Sequence, residues 1–451
     1  GTSIMTLLAR DVRRALAGVV AIVMWLPAAG GVVPGGLRVA QAAQVQVPVQ
    51  VPTANANSGT TTTTSTCVAN VDKVIATQAA PSSTASLPTD LVDQLDVAAR
   101  AGLHVAATPG AIVGVRSPQG TWIKAYGEAD PVTLAPMTAD MHTRVGSITK
   151  TFTGTLLLQL QEQGMVSLDD TIDRYVTGVP NGDVISLRQL ANMTSGAASY
   201  TRNQAFVDAL ETNPQAVFTP EQLLDYGLSQ SPIFAPGAQF DYSNTNTLLP
   251  GMVIEKVTGR PIGDVFKEQI LDPLQLNNTI WPGTSPDLPA PYPQGFTLQS
   301  QDATPDHPGN ATNWNPSWAW TAGAMIMDMR DLLTYGRALG TGQGLLGPAA
   351  QAERLTSFPG TAGYGLAVGC IDGWVGHTGE LPGYNTTLFY DTTRDTVVAV
   401  QANSDIASGN CAESPTLTDD PRTSPCSSPA TAIFVPVSQA LGHPFTPNPQ
   451  R

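Results

Sequence analysis

A chain of 451 residues, 42% of them apolar and only 13% charged, holds enough material for a large core and for two or three folding units. Its formal net charge of −14 argues against nucleic acid or anionic lipid as a partner. With 42 Gly and 37 Pro, the elements must be joined by many turns.

The first segment reads as an address. Arg10, Arg13 and Arg14 precede an apolar run from Ala15 to Val33, and Ala40-Gln41-Ala42 offers a small-residue cleavage site, the pattern of a secretory signal peptide over residues 1–42. A retained membrane anchor is the alternative, although Pro27 and Pro34 interrupt the run. Residues 43–87 alternate Val with Gln and Pro and then pass through Thr60 to Thr64, a composition that buries little and reads as a linker open to glycosylation. An exported chain meets oxidising conditions, where Cys67, Cys370, Cys411 and Cys426 could form two disulfides. Their spacing suits no zinc site and leaves the pairing open, but three of the four fall in the last quarter and are expected to staple it.

The globular part starts with a helix, Thr89 to Ala101, where Leu91, Leu95, Val97 and Ala98 recur at helical spacing. Two apolar runs follow, Gly110 to Val115 and Thr121 to Tyr126, with Arg116-Ser117-Pro118-Gln119-Gly120 as a hairpin signal between them. After Lys150 the pattern turns helical through seven segments: Leu156 to Gln163, Leu168 to Tyr175, Ser186 to Met193, Phe206 to Leu210, Pro220 to Leu228, Leu248 to Thr258 and Ile262 to Ile270. A loop-rich stretch to about Pro316 leads into a helix from Thr321 to Leu339. Strand signals follow at Tyr364 to Val368, around His377, at Asn385 to Tyr390 and at Thr396 to Gln401, then a last helix from Ala430 to Leu441. The expected class is α/β (α+β): an antiparallel sheet flanked by helices, from residues 88–150 and 318–442, with an all-helical domain, 151–317, inserted and a tail at 443–451. A cleft between the two is the expected place for a site.

Three short motifs carry chemistry. Ser147 and Lys150 stand three apart at a helix start, so a hydroxyl and an amine share one face, and a lysine desolvated by apolar neighbours can take a serine proton. Tyr242-Ser243-Asn244 comes from a loop just before a helix and offers a phenol for proton transfer and an amide that both donates and accepts. His377-Thr378-Gly379 falls on a strand beside which an extended substrate could lie; Gly379 leaves room for it and the imidazole could supply a positive partner or a hydrogen bond.

In this order the motifs Ser147-Ile148-Thr149-Lys150, Tyr242-Ser243-Asn244 and His377-Thr378-Gly379 resemble the active-site motifs of the penicillin-recognising serine hydrolases, and the His-Thr-Gly form resembles their D-Ala-D-Ala carboxypeptidase branch. Leu187 to Gly196, Thr321 to Ala324 and Gly383-Tyr384-Asn385 add to the likeness, which covers residues 88 to 442. The resemblance implies a covalent acyl-enzyme on Ser147, with Lys150 and Tyr242 sharing the proton traffic in an order that stays open. It further implies an oxyanion hole from the Ser147 and Glu380 amides, Asn244 holding Lys150 and the substrate's amide, and His377, Thr378 and Gly379 lining the pocket. No cofactor and no metal is implied.

The substrate is less defined. A peptide ending in a carboxylate calls for a hydroxyl and a cation after the Gly, yet Glu380 stands there and Gly363 to Gly376 contains no Arg or Lys. The expectation is an exported hydrolase of D-Ala-D-Ala-type peptides or β-lactams, with possible cell-wall association. An esterase or amidase with an uncharged leaving group is one alternative, and a non-catalytic cell-envelope binding protein is another.

Overall fold

The computed structural model describes residues 67–79, 85–304, 306–408 and 427–447. The signal segment, most of the linker, Cys411 and Cys426 lie outside the described residues. A short helix and a long one open the described chain: α1 (Val71–Ala76), capped by the Asn70 side chain, and α2 (Thr89–Val105), which buries Leu95, Ala99 and Gly102.

Strand β1 (Gly110–Ser117) turns back as β2 (Gly120–Asp130), in line with the expected hairpin. They join β3 (Ala135–Pro136), β8 (Gly369–Ile371), β9 (Trp374–Leu381), β10 (Tyr384–Asp391) and β11 (Thr396–Ala402) in a seven-stranded sheet of order β3-β2-β1-β11-β10-β9-β8. Every pairing in it is antiparallel, as is the separate pair β5 (Phe296–Thr297) and β6 (Gly309–Asn310). Side-chain alternation sends Ala111, Val113, Val115, Val398 and Val400 to one face, where they meet α2 and the last helix, α12 (Pro429–Ala440). Ile112, Val397 and Ala399 join the larger core on the other face, against α10 (Met329–Thr341).

The helical region is built around α3 (Ile148–Glu162), in which every residue from Ile148 to Leu160 is buried. It is a core helix although it carries polar residues, because its buried Thr151, Thr153 and Thr155 hydroxyls donate to backbone carbonyls. Around it lie α4 (Leu187–Ala191), α5 (Gln204–Thr212), α6 (Pro220–Leu228), α7 (Thr245–Thr258) and α8 (Ile262–Phe266). Ser186 and Thr219 close α4 and α6 with capping boxes.

Several expected elements differ. Leu168 to Tyr175 supplies only a 3-10 turn at Ile172–Arg174. Instead of one helix over Thr321 to Leu339 there are α9 (Trp320–Gly323), strand β7 (Ile326–Met327) and α10, because Ile326 and Met327 pair with β4 (Thr143–Arg144). Tyr364 to Val368 is not a strand: Ala367 has φ +53° and its amide bonds to the Ala191 carbonyl, so the ladder starts only at Gly369. A helix that the sequence pattern did not suggest, α11 (Pro348–Thr356), follows α10. The linker reading ends early as well. Residues 67–79 are folded onto α10 and α11, Gln78 donates to the Thr341 carbonyl at 2.6 Å, and Cys67 is bonded to Cys370. The expected staple within the last quarter therefore does not hold for Cys370, whose partner lies 303 residues upstream. Among the described residues no helix is long and apolar enough to cross a membrane.

Candidate active site

Ser147 sits at the N-cap of α3 and makes no side-chain cap bond, which leaves its hydroxyl for other partners. Two of them converge on Oγ. Lys150 Nζ lies 2.7 Å away and the Tyr242 hydroxyl donates from 2.9 Å. Gly146, at φ +55°, makes the turn that feeds the serine into the helix, a backbone shape that side chains beyond glycine resist.

Lys150 is held by oxygens alone. Besides Ser147, its amine reaches Asn244 Oδ1 at 2.7 Å and the Ala322 carbonyl of α9 at 2.8 Å. No carboxylate is among these partners, and full burial pushes the amine well below the ordinary lysine value. Tyr242 is buried too, and desolvation raises its phenol above the usual tyrosine range. The Tyr242 loop is tied down by Arg202, which bonds Asp241 at 2.8 Å and the Tyr242 carbonyl at 2.9 Å. Asn244 is oriented from its other end, its Nδ2 donating to Thr201 Oγ1 at 2.9 Å and its backbone amide to Ser199 Oγ at 3.1 Å.

Strand β9 closes the site. Strand β8 pairs with it only as far as Gly376, so His377 to Leu381 has one edge that β8 does not cover. That stretch presses against the residues before α3. A methyl group at Gly379 would sit 1.8 Å from the Val145 carbonyl oxygen and 3.1 Å from the Ser147 nitrogen, and one at Gly146 would sit 2.8 Å from the Glu380 nitrogen. The backbone amides of Ser147 and Glu380 are thus brought to the same small region. Thr378 and Glu380 are half-buried on the opposite side of the strand from His377 and Gly379.

Of the two parts expected of His377, a positive partner or a hydrogen bond, the first is not met. Its Nδ1 is 2.5 Å from the Thr378 carbonyl, which can only accept, so the ring proton resides there. Nε2 is then an acceptor, and the Tyr364 hydroxyl supplies the proton from 2.9 Å. Burial, followed by the nearby Lys150, holds the imidazole down to about 3. His377 is neutral, and the expectation of a positive partner is corrected. Tyr364 was not singled out from sequence. It packs edge-on against both Tyr242 and His377, with ring centroids 5.8 and 5.5 Å away, and nothing in its local sequence separates it from an ordinary core aromatic. Trp318 and Trp320 are core residues, as packing would have them, with Trp318 against Phe206.

The motif residues Ser147, Lys150, Tyr242, Asn244 and His377, far apart in sequence, thus form one buried cluster, with Gly379 and Glu380 at its edge. The Beta-lactamase family model matches residues 95–414, most of the chain. The chain belongs to the Beta-lactamase family. Its fold is accordingly that of β-lactamases and penicillin-binding proteins, and its chemistry that of a family of serine hydrolases. A D-stereospecific amidohydrolase from Streptomyces sp. is 35% identical, with a TM-score of 0.62 over 69% of this chain and 94% of that one. The D-amino acid amidase of Ochrobactrum anthropi SV3, 24% identical at a TM-score of 0.66 over 78% and 98%, shares the fold. Among curated relatives, the D-alanyl-D-alanine-carboxypeptidase/endopeptidase AmpH of Escherichia coli (strain K12) is 30% identical over 49% of this chain and 56% of its own length. The putative penicillin-binding protein PbpX of Bacillus subtilis (strain 168) is 25% identical over 57% and 61%. The chain thus spans only 56% to 61% of these two curated relatives.

Among the described residues no group of three or more His, Cys, Asp or Glu could hold a metal ion.

Proposed function

We propose that this Beta-lactamase family member is an exported serine acyl hydrolase that cleaves amides or esters of D-amino acids through an acyl-enzyme on Ser147. The observation that carries the chemistry is the convergence of Lys150 Nζ and the Tyr242 hydroxyl on one buried serine oxygen, at 2.7 and 2.9 Å. An amine stripped of water and of any carboxylate partner gives up its proton far more readily than an ordinary lysine, and a buried phenol holds its proton more tightly than an ordinary tyrosine. This supports one division of labour among those that the motifs leave open. Lys150 takes the serine proton as Oγ attacks the carbonyl, the Ser147 and Glu380 amides stabilise the oxyanion, and Tyr242 gives its proton to the leaving nitrogen or oxygen. The site then holds a lysine ammonium and a tyrosine phenolate. In deacylation the phenolate draws a proton from water, the hydroxide attacks the ester, and Ser147 leaves with the proton of Lys150, restoring the starting state.

The substrate side rests on Glu380, an acid beside the cleft where a carboxylate-ended leaving group would need a cation, and on the likeness to the D-stereospecific amidohydrolase. A second reading, D-Ala-D-Ala carboxypeptidase or β-lactam hydrolase, is favoured by the likeness to AmpH. Export is supported by the signal-like residues 1–42 and by the Cys67–Cys370 bond, and cell-wall association would follow from it. A D-amino acid p-nitroanilide, a neutral p-nitrophenyl ester and a fluorescent penicillin separate the readings, with Ser147→Ala as control. Turnover of the anilide and ester, lost in S147A, supports the proposal. Labelling by the penicillin with no turnover of either small substrate would move the function to the second reading, and no reaction with any of the three would end both.

A further inference from the structure

The Glu380 N–H, the second oxyanion donor of the acyl-transfer cycle, belongs to a peptide group whose other half is the Gly379 carbonyl. A peptide group is planar, so the direction of its N–H is set by whatever holds its C=O. Here that partner is a side chain: Asn385 Nδ2 donates to the Gly379 oxygen at 3.1 Å. Asn385 is buried and lies on β10 directly opposite Glu380. The peptide it grips stands over the turn that feeds the nucleophile, since a methyl group at Gly146 would meet the Gly379 carbonyl carbon at 3.1 Å as well as the Glu380 nitrogen at 2.8 Å.

The Asn385 amide can point only one way. Its Oδ1 accepts from the Ala430 N–H at 2.7 Å, and a backbone N–H only donates while the Gly379 carbonyl only accepts. Ala430 carries the first helical N–H of α12, because Pro429 before it has none, and the cap residue Ser428 makes no side-chain bond to that helix end. One side chain thus joins an orphan helix donor to the oxyanion peptide: Ala430 N–H to Asn385, Asn385 to the Gly379 carbonyl, and the Glu380 N–H to the reacting oxygen. Donation into a carbonyl polarises the whole peptide group and makes its N–H the better donor.

We propose that Asn385 is a positioning residue for the oxyanion hole, fixing and polarising the Gly379–Glu380 peptide so that its N–H meets the oxygen of both tetrahedral intermediates. The inference rests on the acyl-transfer reading and adds to it a residue outside the three motifs on which acylation and deacylation both depend. The rival role is architectural: Asn385 ties α12 to the sheet and the reaction is indifferent to it.

Two variants separate these roles. Asn385→Ala removes both bonds, whereas Asn385→Asp keeps an acceptor for Ala430 and, as a carboxylate, cannot donate to Gly379. Each is compared with wild type on a neutral p-nitrophenyl ester, with phenylboronic acid, which forms a tetrahedral adduct on a nucleophilic serine, as inhibitor. Both chemical steps pass through an oxyanion, so kcat is expected to fall by about 10–100-fold with KM little changed, short of the 10²–10³-fold cost of losing a donor outright. Inhibition by phenylboronic acid is expected to weaken in proportion, and thermal melts to show N385A less stable than N385D. A folded N385A whose kcat and boronate inhibition stay within about twofold of wild type overturns the proposal and leaves the acyl-transfer reading intact, as does a loss carried by KM alone with boronate inhibition unchanged. Where melts show N385A to be misfolded, N385D decides by the same criteria. A wild type that neither turns over the ester nor is inhibited by the boronate takes down the acyl-transfer reading instead, and this proposal with it.

Discussion

The Tyr364 hydroxyl donates to Nε2 of His377 at 2.9 Å while Nδ1 of the same ring is committed to the Thr378 carbonyl, so both imidazole nitrogens are spoken for before any substrate arrives. His377 therefore acts as a fixed, neutral ring packed with Tyr364 and Tyr242, which also touch each other. We expect its ring protons to show no titration in NMR between pH 5 and 9, because the folded-state value lies near 3. Tyr364→Phe removes the proton donor and leaves a buried acceptor unpaired, a loss of about 1–3 kcal/mol in chemical denaturation. A His377 resonance that titrates near 6.5 in wild type would contradict this assignment.

The assignment of Lys150 as base and Tyr242 as acid makes the two separable by leaving group. Lys150→Met removes the proton acceptor for every substrate, and kcat/KM should fall by about 10²–10⁴-fold for esters and amides alike. Tyr242→Phe withholds a proton that a nitrophenolate scarcely needs and an amine cannot leave without, so its loss should be much larger for amides than for nitrophenyl esters. The wild-type acid limb of kcat/KM should follow Lys150, whose value is depressed: activity falls as pH drops through that value and the amine takes a proton. Equal losses for both leaving groups in Tyr242→Phe would reverse the division of labour.

How much of this was legible in the sequence depends on distance along the chain. Ser147 and Lys150 stand out because three residues on a helix is a geometric statement, and α3 carries it out. The hairpin β1–β2 and the strands β10 and β11 were legible for a local reason too, short apolar and β-branched runs separated by turn residues. What the sequence hid is held by contacts across long separations. Thr201 orients Asn244 from 43 residues away, and the Ala322 carbonyl that completes the Lys150 cage is a backbone atom with no sequence signature. Ile326 and Met327 look like the middle of a helix until Thr143 and Arg144 offer them a strand to pair with. The 67–79 segment looks like linker because its order comes from outside itself, from Cys370, Thr341 and Arg337.

The Cys67–Cys370 bond ties that segment to β8, next to the strand that lines the site. Cross-linking residues 303 positions apart removes freedom from the unfolded chain, and loss of the bond should lower stability by about 2–4 kcal/mol. Thermal melts of wild type with and without reductant, compared with a Cys67→Ser/Cys370→Ser double variant, check this. The two treatments should agree, and a melt unaffected by either would show that the non-covalent contacts of Gln78 and Thr77 hold the segment alone.

Two buried acids give the fold a pH dependence of definite sign. Asp331 accepts from the Asn278 amide at 2.9 Å and from Thr279 at 2.8 Å, yet burial and then the neighbouring Asp328 raise its carboxyl to about 6, and burial does the same for Asp405. A carboxyl whose folded value lies above its unfolded value of 3.8 binds more protons when folded, so its contribution is fully present below 3.8 and is lost as pH rises through about 6. Asp96 works the other way. The Lys124 bond leads the interactions that lower it to about 2, and its contribution is lost only as pH falls toward that value. Between pH 4 and 7 the first two dominate, and urea midpoints should decline with rising pH. Asp331→Asn, which keeps the shape and cannot ionise, should flatten that decline by up to about 3 kcal/mol across the interval. If the slope in D331N equals that of wild type, Asp331 titrates at an ordinary value, and another group sets the pH dependence.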